Sequence, residues 1–158
     1  MSSQTLEEAK DWLRNRVDEG ATCPCCTQYA KVYRRKLTSV AVRFVIALYR
    51  EKGRDYGHAP AIAARRMRDV AHQGGYVTLG GYWGLIQEER TARPDGGRSG
   101  YWRVTQLGED FIFARTSIPK YVMVYNSRIL CQTGEQITAD IALGQHFDLA
   151  ELLHETAA

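Results

Sequence analysis

The sequence predicts an α+β fold, and two kinds of pattern support that prediction. Apolar residues recur at helical spacing in three stretches, 5–19, 39–53 and 60–71. Strand-like residues flank turn-forming residues in two others, 85–105 and 121–131. The composition agrees, because 44% hydrophobic and 25% charged residues are typical of a soluble globular protein. A chain of 158 residues suits one domain with small appendages.

The first helix is predicted at 5–19. Its apolar residues at helical spacing are Leu6, Ala9, Leu13 and Val17. Thr5 followed by Glu8 has the spacing of a capping box, and Gly20 is a stop signal.

The stretch 39–53 is predicted to be the central core helix. Its β-branched residues would also suit a strand, but its length favours a helix. Residues 53–59 predict a connection or a short strand. Pro60 suits the first turn of the next helix, which the glycine pair at 74–75 ends. A short third helix is predicted at 76–83.

Two hairpins and three short helices are predicted in the remainder of the chain. Residues 85–105 predict a hairpin with a long, glycine-rich tip that carries arginines, and 107–115 predict the helix after it. Asn-Ser at 126–127 predicts the tight turn of the second hairpin. Short helices are predicted at 137–143 and 149–154.

These patterns divide the chain into three segments with different charge. Residues 1–37 hold a helix and a Cys-rich basic turn, 38–117 form a central domain, and 118–158 hold a hairpin and short helices. The net charge of +3 is unevenly distributed, since 20–103 hold fifteen Lys and Arg but six Asp and Glu. The stretches on either side of it, 1–19 and 104–158, hold more Asp and Glu than Lys and Arg. A basic middle favours a polyanionic partner.

The central domain carries motifs of a known family. They are Tyr82-Trp83-Gly84-Leu85-Ile86, Arg98-Ser99-Gly100-Tyr101-Trp102-Arg103-Val104-Thr105 and Leu107-Gly108-Glu109-Asp110-Phe111. With the order helix, helix, helix, hairpin, helix over 38–115, they resemble winged-helix regulators of the multiple-antibiotic-resistance type. The whole chain, with its Cys-Pro-Cys-Cys segment, also resembles small proteins encoded by phages and prophages.

The resemblance implies a winged helix-turn-helix core, whose third helix enters the major groove while its wing contacts the backbone or the minor groove. The wing arginines are Arg90, Arg93, Arg98 and Arg103. The third helix, at 76–83, offers Thr78 but no Arg, Lys, Asn or Gln, the usual readers of base edges. We therefore expect phosphate contacts from the wing and from Arg65, Arg66 and Arg68.

Three thiols lie within four residues, at Cys23, Cys25 and Cys26. Cys23 and Cys26 have the spacing at which two thiolates of one tight turn take adjacent corners of a tetrahedral zinc site. Cys25 is a third candidate ligand if the turn is distorted. The prediction is therefore zinc, and no other cofactor. The alternative is a turn whose thiols pack under the first helix, because no second Cys-x-x-Cys pair follows.

A run of cations and aromatics follows the thiols. Its cations are Lys31, Arg34, Arg35 and Lys36, and its aromatics are Tyr29 and Tyr33. We interpret the run as a phosphate-contacting segment with stacking on the tyrosines. The alternative is a solvated strand or linker that pairs with the acidic ends of the chain.

The sequence predicts a non-enzymatic protein, since it holds none of the common catalytic or nucleotide-binding motifs. We expect it to bind double-stranded DNA as a phage or bacterial transcriptional regulator, in the cytoplasm of a bacterial host. No apolar run approaches the ~20 residues that cross a bilayer, so no membrane partner is expected. The alternative is a phage-encoded factor that masks a host or defence protein. A homodimer through 5–19 and 149–154 is a further expectation.

Overall fold

The computed structural model describes residues 4–90 and 100–154, except for the side chain of Gln73, and the chain forms two compact units. Unit 1 contains Met1–Lys36 and Tyr121–Thr133, and unit 2 contains Leu37–Lys120 and Gly134–Ala158. The segment 118–158 is therefore divided between the units. The wing-tip arginines Arg93 and Arg98 lie outside the described residues.

Helices and strands both occur, which confirms the α+β prediction. The α-helices are α1 (Leu6–Arg14), α2 (Ser39–Lys52), α3 (Ala59–Arg66), α4 (Gln106–Ile112), α5 (Ala139–Leu143) and α6 (Leu149–His154). The strands are β1 (Ala21–Thr22), β2 (Tyr29–Ala30), β3 (Tyr33–Lys36), β4 (Gly57–His58), β5 (Ile86–Glu88), β6 (Tyr101–Val104), β7 (Ile118–Tyr125) and β8 (Arg128–Ile137). Two 3₁₀ helices lie between α3 and β5, at Ala71–Tyr76 and Leu79–Trp83. In the parts of the chain that are described, none of the helices has the length and apolar character needed to cross a membrane.

Unit 1 begins with α1, whose predicted capping box is present. The Glu8 backbone N–H donates to Thr5 Oγ1 at 3.2 Å, and the Thr5 N–H donates to Glu8 Oε2 at 2.8 Å. The helix ends at Arg14 rather than at residue 19, because the chain turns at Asn15 and the Arg16 N–H bonds the Leu13 carbonyl in a 3₁₀ pattern.

Two small sheets complete unit 1. β1 pairs with β2, and the segment between them holds the cysteines. A second sheet has the order β3-β7-β8. Asn126 and Ser127, which join β7 to β8, have φ of 49° and 62°, the left-handed pair that a two-residue type I′ turn requires. The predicted second hairpin is confirmed, and β7 begins at Ile118, earlier than predicted.

Unit 2 is built around α2, the predicted core helix. Thr38 caps its start by accepting the Ala41 N–H at 3.2 Å, and Gly53 ends it at φ 59°. Phe44 and Leu48 are fully buried. Helices α3, α4, α5 and α6 all pack against α2, so this helix organises the core.

A three-stranded antiparallel sheet of order β4-β6-β5 lies beside these helices. The predicted hairpin pairs Ile86 with Val104 and Glu88 with Trp102. Thr105 caps α4 by accepting the Gly108 N–H at 3.1 Å. The paired strands of the first hairpin are thus present as predicted, its predicted tip at 91–99 lies outside the described residues, and the helix after it ends at Ile112 rather than at residue 115.

The segment between α3 and β5 differs from the prediction. α3 ends at Arg66, well before residue 71, because Met67 leaves helical geometry at φ −134° and buries its side chain. The short helix predicted at 76–83 is not a continuous helix, since this stretch holds the last residue of the first 3₁₀ helix, Tyr76, and the whole of the second, Leu79–Trp83. Glycine explains the difference: Gly74 has φ 50°, which breaks the backbone, and a Gly-Gly pair follows Leu79.

Candidate nucleic-acid interface

The basic run after the cysteines forms a strand at the edge of a sheet. We call residues 31–36 the basic segment, and β3 is its regular part. β3 pairs antiparallel with β7, with Arg34 opposite Met123 and Lys36 opposite Tyr121. All four residues of β3 are exposed. Because β3 ends the sheet order, its side chains are accessible on the sheet edge.

Successive residues of β3 point to opposite sides of the sheet, so its charges are spread over both. Directly opposed residues share a side in an antiparallel pair. Arg34 and Lys36 therefore lie on the side of Tyr121, while Arg35 lies on the side of its partner Val122, which is fully buried. A partner could approach the segment from the sheet edge and reach cations of both sets.

Tyrosine rings contact three of the basic segment's four cations. The Arg34 guanidinium lies 4.4 Å from the Tyr121 ring centroid, and the Arg35 guanidinium lies 5.5 Å from that of Tyr33. The Lys31 ammonium lies 5.6 Å from the same Tyr33 ring. Such cation–π contacts restrict the side chains but do not neutralise their charge.

No carboxylate in residues 4–90 or 100–154 forms an ion pair with the basic segment. The ion pairs described within unit 1 are both in α1, Lys10 with Glu7 at 2.9 Å and Arg14 with Asp11 at 3.0 Å. The alternative in which the run pairs with the acidic ends therefore finds no contact in the described part of the chain. The four cations of the basic segment are thus not neutralised by any carboxylate that the structure describes.

In unit 2 the predicted basic residues Arg65 and Arg66 share one carboxylate. Arg65 Nη2 lies 2.7 Å from Glu51 Oε2, and Arg66 Nε lies 2.9 Å from Glu51 Oε1. The Arg65 hydrogen bond, with help from Arg66, lowers the pKa of Glu51 below its ordinary value against the effect of burial. Both arginines of α3 thus pair with one carboxylate of α2. The three groups together carry a single net positive charge.

The depressed pKa of Glu51 predicts a stability loss in acid. An ionised carboxylate whose pKa is lower in the folded state stabilises the fold above its unfolded pKa of about 4.3 and loses that contribution as the pH falls through its folded pKa. We expect the free energy of unfolding, measured by urea titration from pH 7 to pH ~3, to fall more steeply below pH ~4.3 than in Glu51→Gln. Equal acid profiles in the two proteins would contradict this role of Glu51.

Arg68, Arg90 and Arg103, the other predicted cations of unit 2 that the structure describes, form no ion pair with a described carboxylate. Arg68 is exposed and has no ion-pair partner among the described residues. Arg103 donates from Nε and Nη2 to the neutral Gln87 side chain at 3.2 and 2.9 Å, and its guanidinium lies 5.1 Å from the Tyr56 ring. Arg90, after β5, is exposed.

Thr78, the predicted polar contact of the recognition helix, lies between the two 3₁₀ helices. Its hydroxyl donates to the Gly75 carbonyl at 3.3 Å. Trp83 at the end of this segment is buried, and its Nε1 donates to the Pro119 carbonyl at 2.7 Å. The segment is therefore anchored in the core and presents few polar side chains.

Sequence reasoning did not single out Arg43, which forms the best-defined ion pair of unit 2. Its Nη1 and Nη2 each lie 3.0 Å from an Asp69 carboxylate oxygen, and its guanidinium lies 4.5 Å from the Phe147 ring. The Arg43 hydrogen bonds lower the pKa of Asp69 below its ordinary value. The partners are 26 residues apart, so no local pattern indicates the pair.

The cysteine turn lies between β1 and β2. The Cys23 N–H donates to the Gln28 carbonyl at 2.8 Å, and the Thr27 N–H donates to the Cys23 carbonyl at 3.0 Å. Cys25 and Cys26 are exposed and Cys23 is half-buried, so the thiols of Cys25 and Cys26 do not pack under the first helix. Backbone N–H groups of Cys26 and Cys25, with the Cys26 thiol, lower the pKa of Cys23.

A metal site is not assembled from this turn alone. Within the described part of the chain, no three or more His, Cys, Asp and Glu side chains are grouped so that they could hold a metal ion.

Comparisons with known proteins return no match: no family model, no curated protein and no solved structure is significantly similar to this chain. The geometry of the chain's own residues therefore carries the functional argument.

Proposed function

We propose that this chain is a non-enzymatic protein that binds double-stranded DNA through its phosphate backbone. The observation that carries the proposal is the basic segment, whose four cations form no ion pair with a carboxylate in the described residues and three of which lie over tyrosine rings. When unpaired Lys and Arg side chains contact a phosphate backbone, they displace the counterions condensed on the DNA. The release of these counterions supplies most of the affinity of such contacts.

We further propose that unit 2 is a winged helix-turn-helix that supplies the second contact surface. The order of its elements supports this: α2, β4, α3, the 3₁₀ helices, the β5–β6 hairpin and α4. Arg68, Arg90 and Arg103 form no ion pair with a described carboxylate, and Arg90 and Arg103 lie on the arms of the hairpin that would form the wing. The biological role that fits this arrangement is a phage or bacterial transcriptional regulator.

The expected mode of binding depends little on sequence. The segment that would read the major groove forms 3₁₀ helix and contains glycines. Its Thr78 hydroxyl already donates a hydrogen bond to a backbone carbonyl. Phosphate contacts position a protein on DNA but carry no base information themselves. Two unrelated duplexes of equal length are therefore expected to bind with similar affinity.

The test is a titration of fluorescent duplex DNA across a salt series, read by anisotropy. The four cations of the basic segment alone predict a slope of about −3.6 in log K against log salt and a loss of about 100-fold in affinity between ~50 and ~200 mM salt, and each contact from unit 2 makes the slope steeper by about 0.9. Single-stranded DNA and RNA of the same length serve as controls and are expected to bind more weakly. Undetectable duplex binding at ~50 mM salt would overturn the proposal.

A second candidate function is that of a protein-interaction factor, and a different observation favours it. β8 lies at the edge of its sheet and exposes Ile129 and Leu130, at 44% and 56% of their surface. Exposed apolar residues on an edge strand suit pairing with a strand of another protein. Stoichiometric co-purification of a host protein, with no duplex binding at low salt, would favour this candidate.

A further inference from the structure

Exposed and buried residues alternate in the chain that follows the cysteine turn. Ala30 and Val32 are buried, whereas Tyr29 and Tyr33 expose 61% and 46% of their surface. Successive side chains of an extended chain point to opposite sides, so every second residue here is expected to lie on the same side. We give the name tyrosine row to the four residues of that side, which alternate ring and cation: Tyr29, Lys31, Tyr33 and Arg35.

Side-chain contacts connect the members of the tyrosine row. The Lys31 ammonium and the Arg35 guanidinium lie 5.6 and 5.5 Å from the Tyr33 ring centroid. Gly20 lies against the other end of the row, because a Cβ on Gly20 would overlap Tyr29 Oη and lie 3.3 Å from Lys31 Cδ. Lys31 thus lies near both rings, and the four side chains form one continuous surface of unit 1.

Both rings of the row are positioned and still accessible. Gly20 has φ 96° and no Cβ, so the Tyr29 ring can lie across its backbone while most of the residue stays exposed. The cations near Tyr33 lie close to the ~6 Å limit of a cation–π contact, and nearly half of Tyr33 remains exposed. A ring that is already held in place loses little conformational freedom when a ligand stacks on it.

A fully paired duplex would use only the cations of this surface. Lys31 and Arg35 can contact the phosphates of any DNA, but paired bases are stacked inside the helix and leave exposed tyrosine rings without a partner. Unpaired bases can lie flat on such rings, and each stacked base strengthens binding by about tenfold. A single strand presents bases and phosphates in alternation, and the tyrosine row offers rings and cations in alternation.

We propose that the tyrosine row binds unpaired bases, so that the preferred ligand of this protein is duplex DNA with a single-stranded segment, such as a forked end. The inference rests on the proposed function, since the basic segment contacts the phosphates in both. It adds the class of DNA that this surface selects. Base identity has little influence, because every base has a π-face on which a tyrosine can stack.

The test compares three fluorescent DNAs by anisotropy at ~100 mM salt. The first is a blunt duplex, and the second has the same paired region and a fork of ~6 unpaired thymidines on each strand. The third has the same fork built from abasic nucleotides, which keep the phosphates and lack the bases. We expect the thymidine fork to bind at least about tenfold more tightly than the abasic fork, since only stacking distinguishes them.

Ring-removing and ring-keeping variants locate the site. Tyr29→Ala and Tyr33→Ala should each bring the affinity ratio of thymidine fork to abasic fork towards one, whereas Tyr29→Phe and Tyr33→Phe should keep the wild-type ratio. A wild-type protein that binds the blunt duplex but both forks equally, or alanine variants that keep the wild-type ratio, would overturn the inference. Undetectable binding of the blunt duplex at ~50 mM salt would instead overturn the proposed function. The wild-type comparison needs no variant, so it gives a result even if a variant fails to fold.

Discussion

Replacement of Arg34, Arg35 and Lys36 by alanine is expected to weaken duplex binding by about 100-fold or more at ~100 mM salt. Each phosphate contact contributes about 0.9 to the slope of log K against log salt, so the loss of three contacts should reduce the slope by about 2.7. The fold should tolerate the change, since all three side chains are exposed and surface substitutions usually shift stability by less than ~0.5 kcal/mol. Anisotropy titrations at several salt concentrations measure both quantities.

A charge-matched variant separates the place of the charge from its amount. Lys10→Ala, Arg14→Ala and Arg115→Ala also remove three cations, but each of these pairs with a carboxylate. We expect this variant to keep the wild-type slope and to lose only a few-fold in affinity through the weaker long-range field. Equal losses in the two triple variants would show that net charge alone drives binding, and the assignment to β3 would then be wrong.

The elements that sequence reasoning recovered depend on nearby residues. Thr5 and Glu8 form the predicted capping box, and Asn126-Ser127 form the predicted tight turn. The core helix and both hairpins follow in the same way from apolar periodicity and turn chemistry, which are properties of a few consecutive residues.

The elements that it missed depend on residues far apart in the sequence. β3 is a strand because it pairs with β7, nearly 90 residues later, and no local pattern shows that partner. The basic patch that we expected at Arg65 and Arg66 is largely ion-paired, because Glu51 on the preceding helix accepts hydrogen bonds from both guanidinium groups. A charge count along the chain cannot separate a cation that has a partner from one that has none. This distinction moves the main weight of the proposed DNA contact to the basic segment.

The 3₁₀ geometry before the hairpin has a different origin. The apolar positions of 76–83 fit a helix, but Gly74 adopts a positive φ and Trp83 must reach the core and the Pro119 carbonyl. Burial of one large side chain outweighs the weak preference of a short, glycine-containing helix. The sequence pattern contained the glycines and the tryptophan but not the position of Pro119.

Gly108→Ala is expected to destabilise unit 2 by about 3 kcal/mol, at the upper end of what overpacking costs. A Cβ at this position would lie 2.0 Å from the Leu85 carbonyl oxygen and 2.9 Å from Val104 Cγ1. The Leu85 carbonyl cannot retreat freely, because it accepts the Thr105 N–H at 3.0 Å, and the Thr105 hydroxyl, which donates to the adjacent Gly84 carbonyl at 2.5 Å, lies 3.1 Å from the Leu85 oxygen. The same hydroxyl accepts the Gly108 N–H, so a shift of α4 would also weaken its cap.

Gly75→Ala is the matched control, since a Cβ there meets no atom within 4 Å. Gly75→Ala should change the free energy of unfolding by less than ~0.5 kcal/mol. Gly108→Ala should lower it strongly, even though alanine favours a helix by ~1 kcal/mol over glycine. Urea denaturation is followed by tryptophan fluorescence in a Trp12→Phe background, which reports on unit 2 because the two remaining tryptophans, the buried Trp83 and Trp102, lie there. If the two variants unfold at the same urea concentration, the close approach of α4 to the Leu85 carbonyl does not contribute to the stability of unit 2.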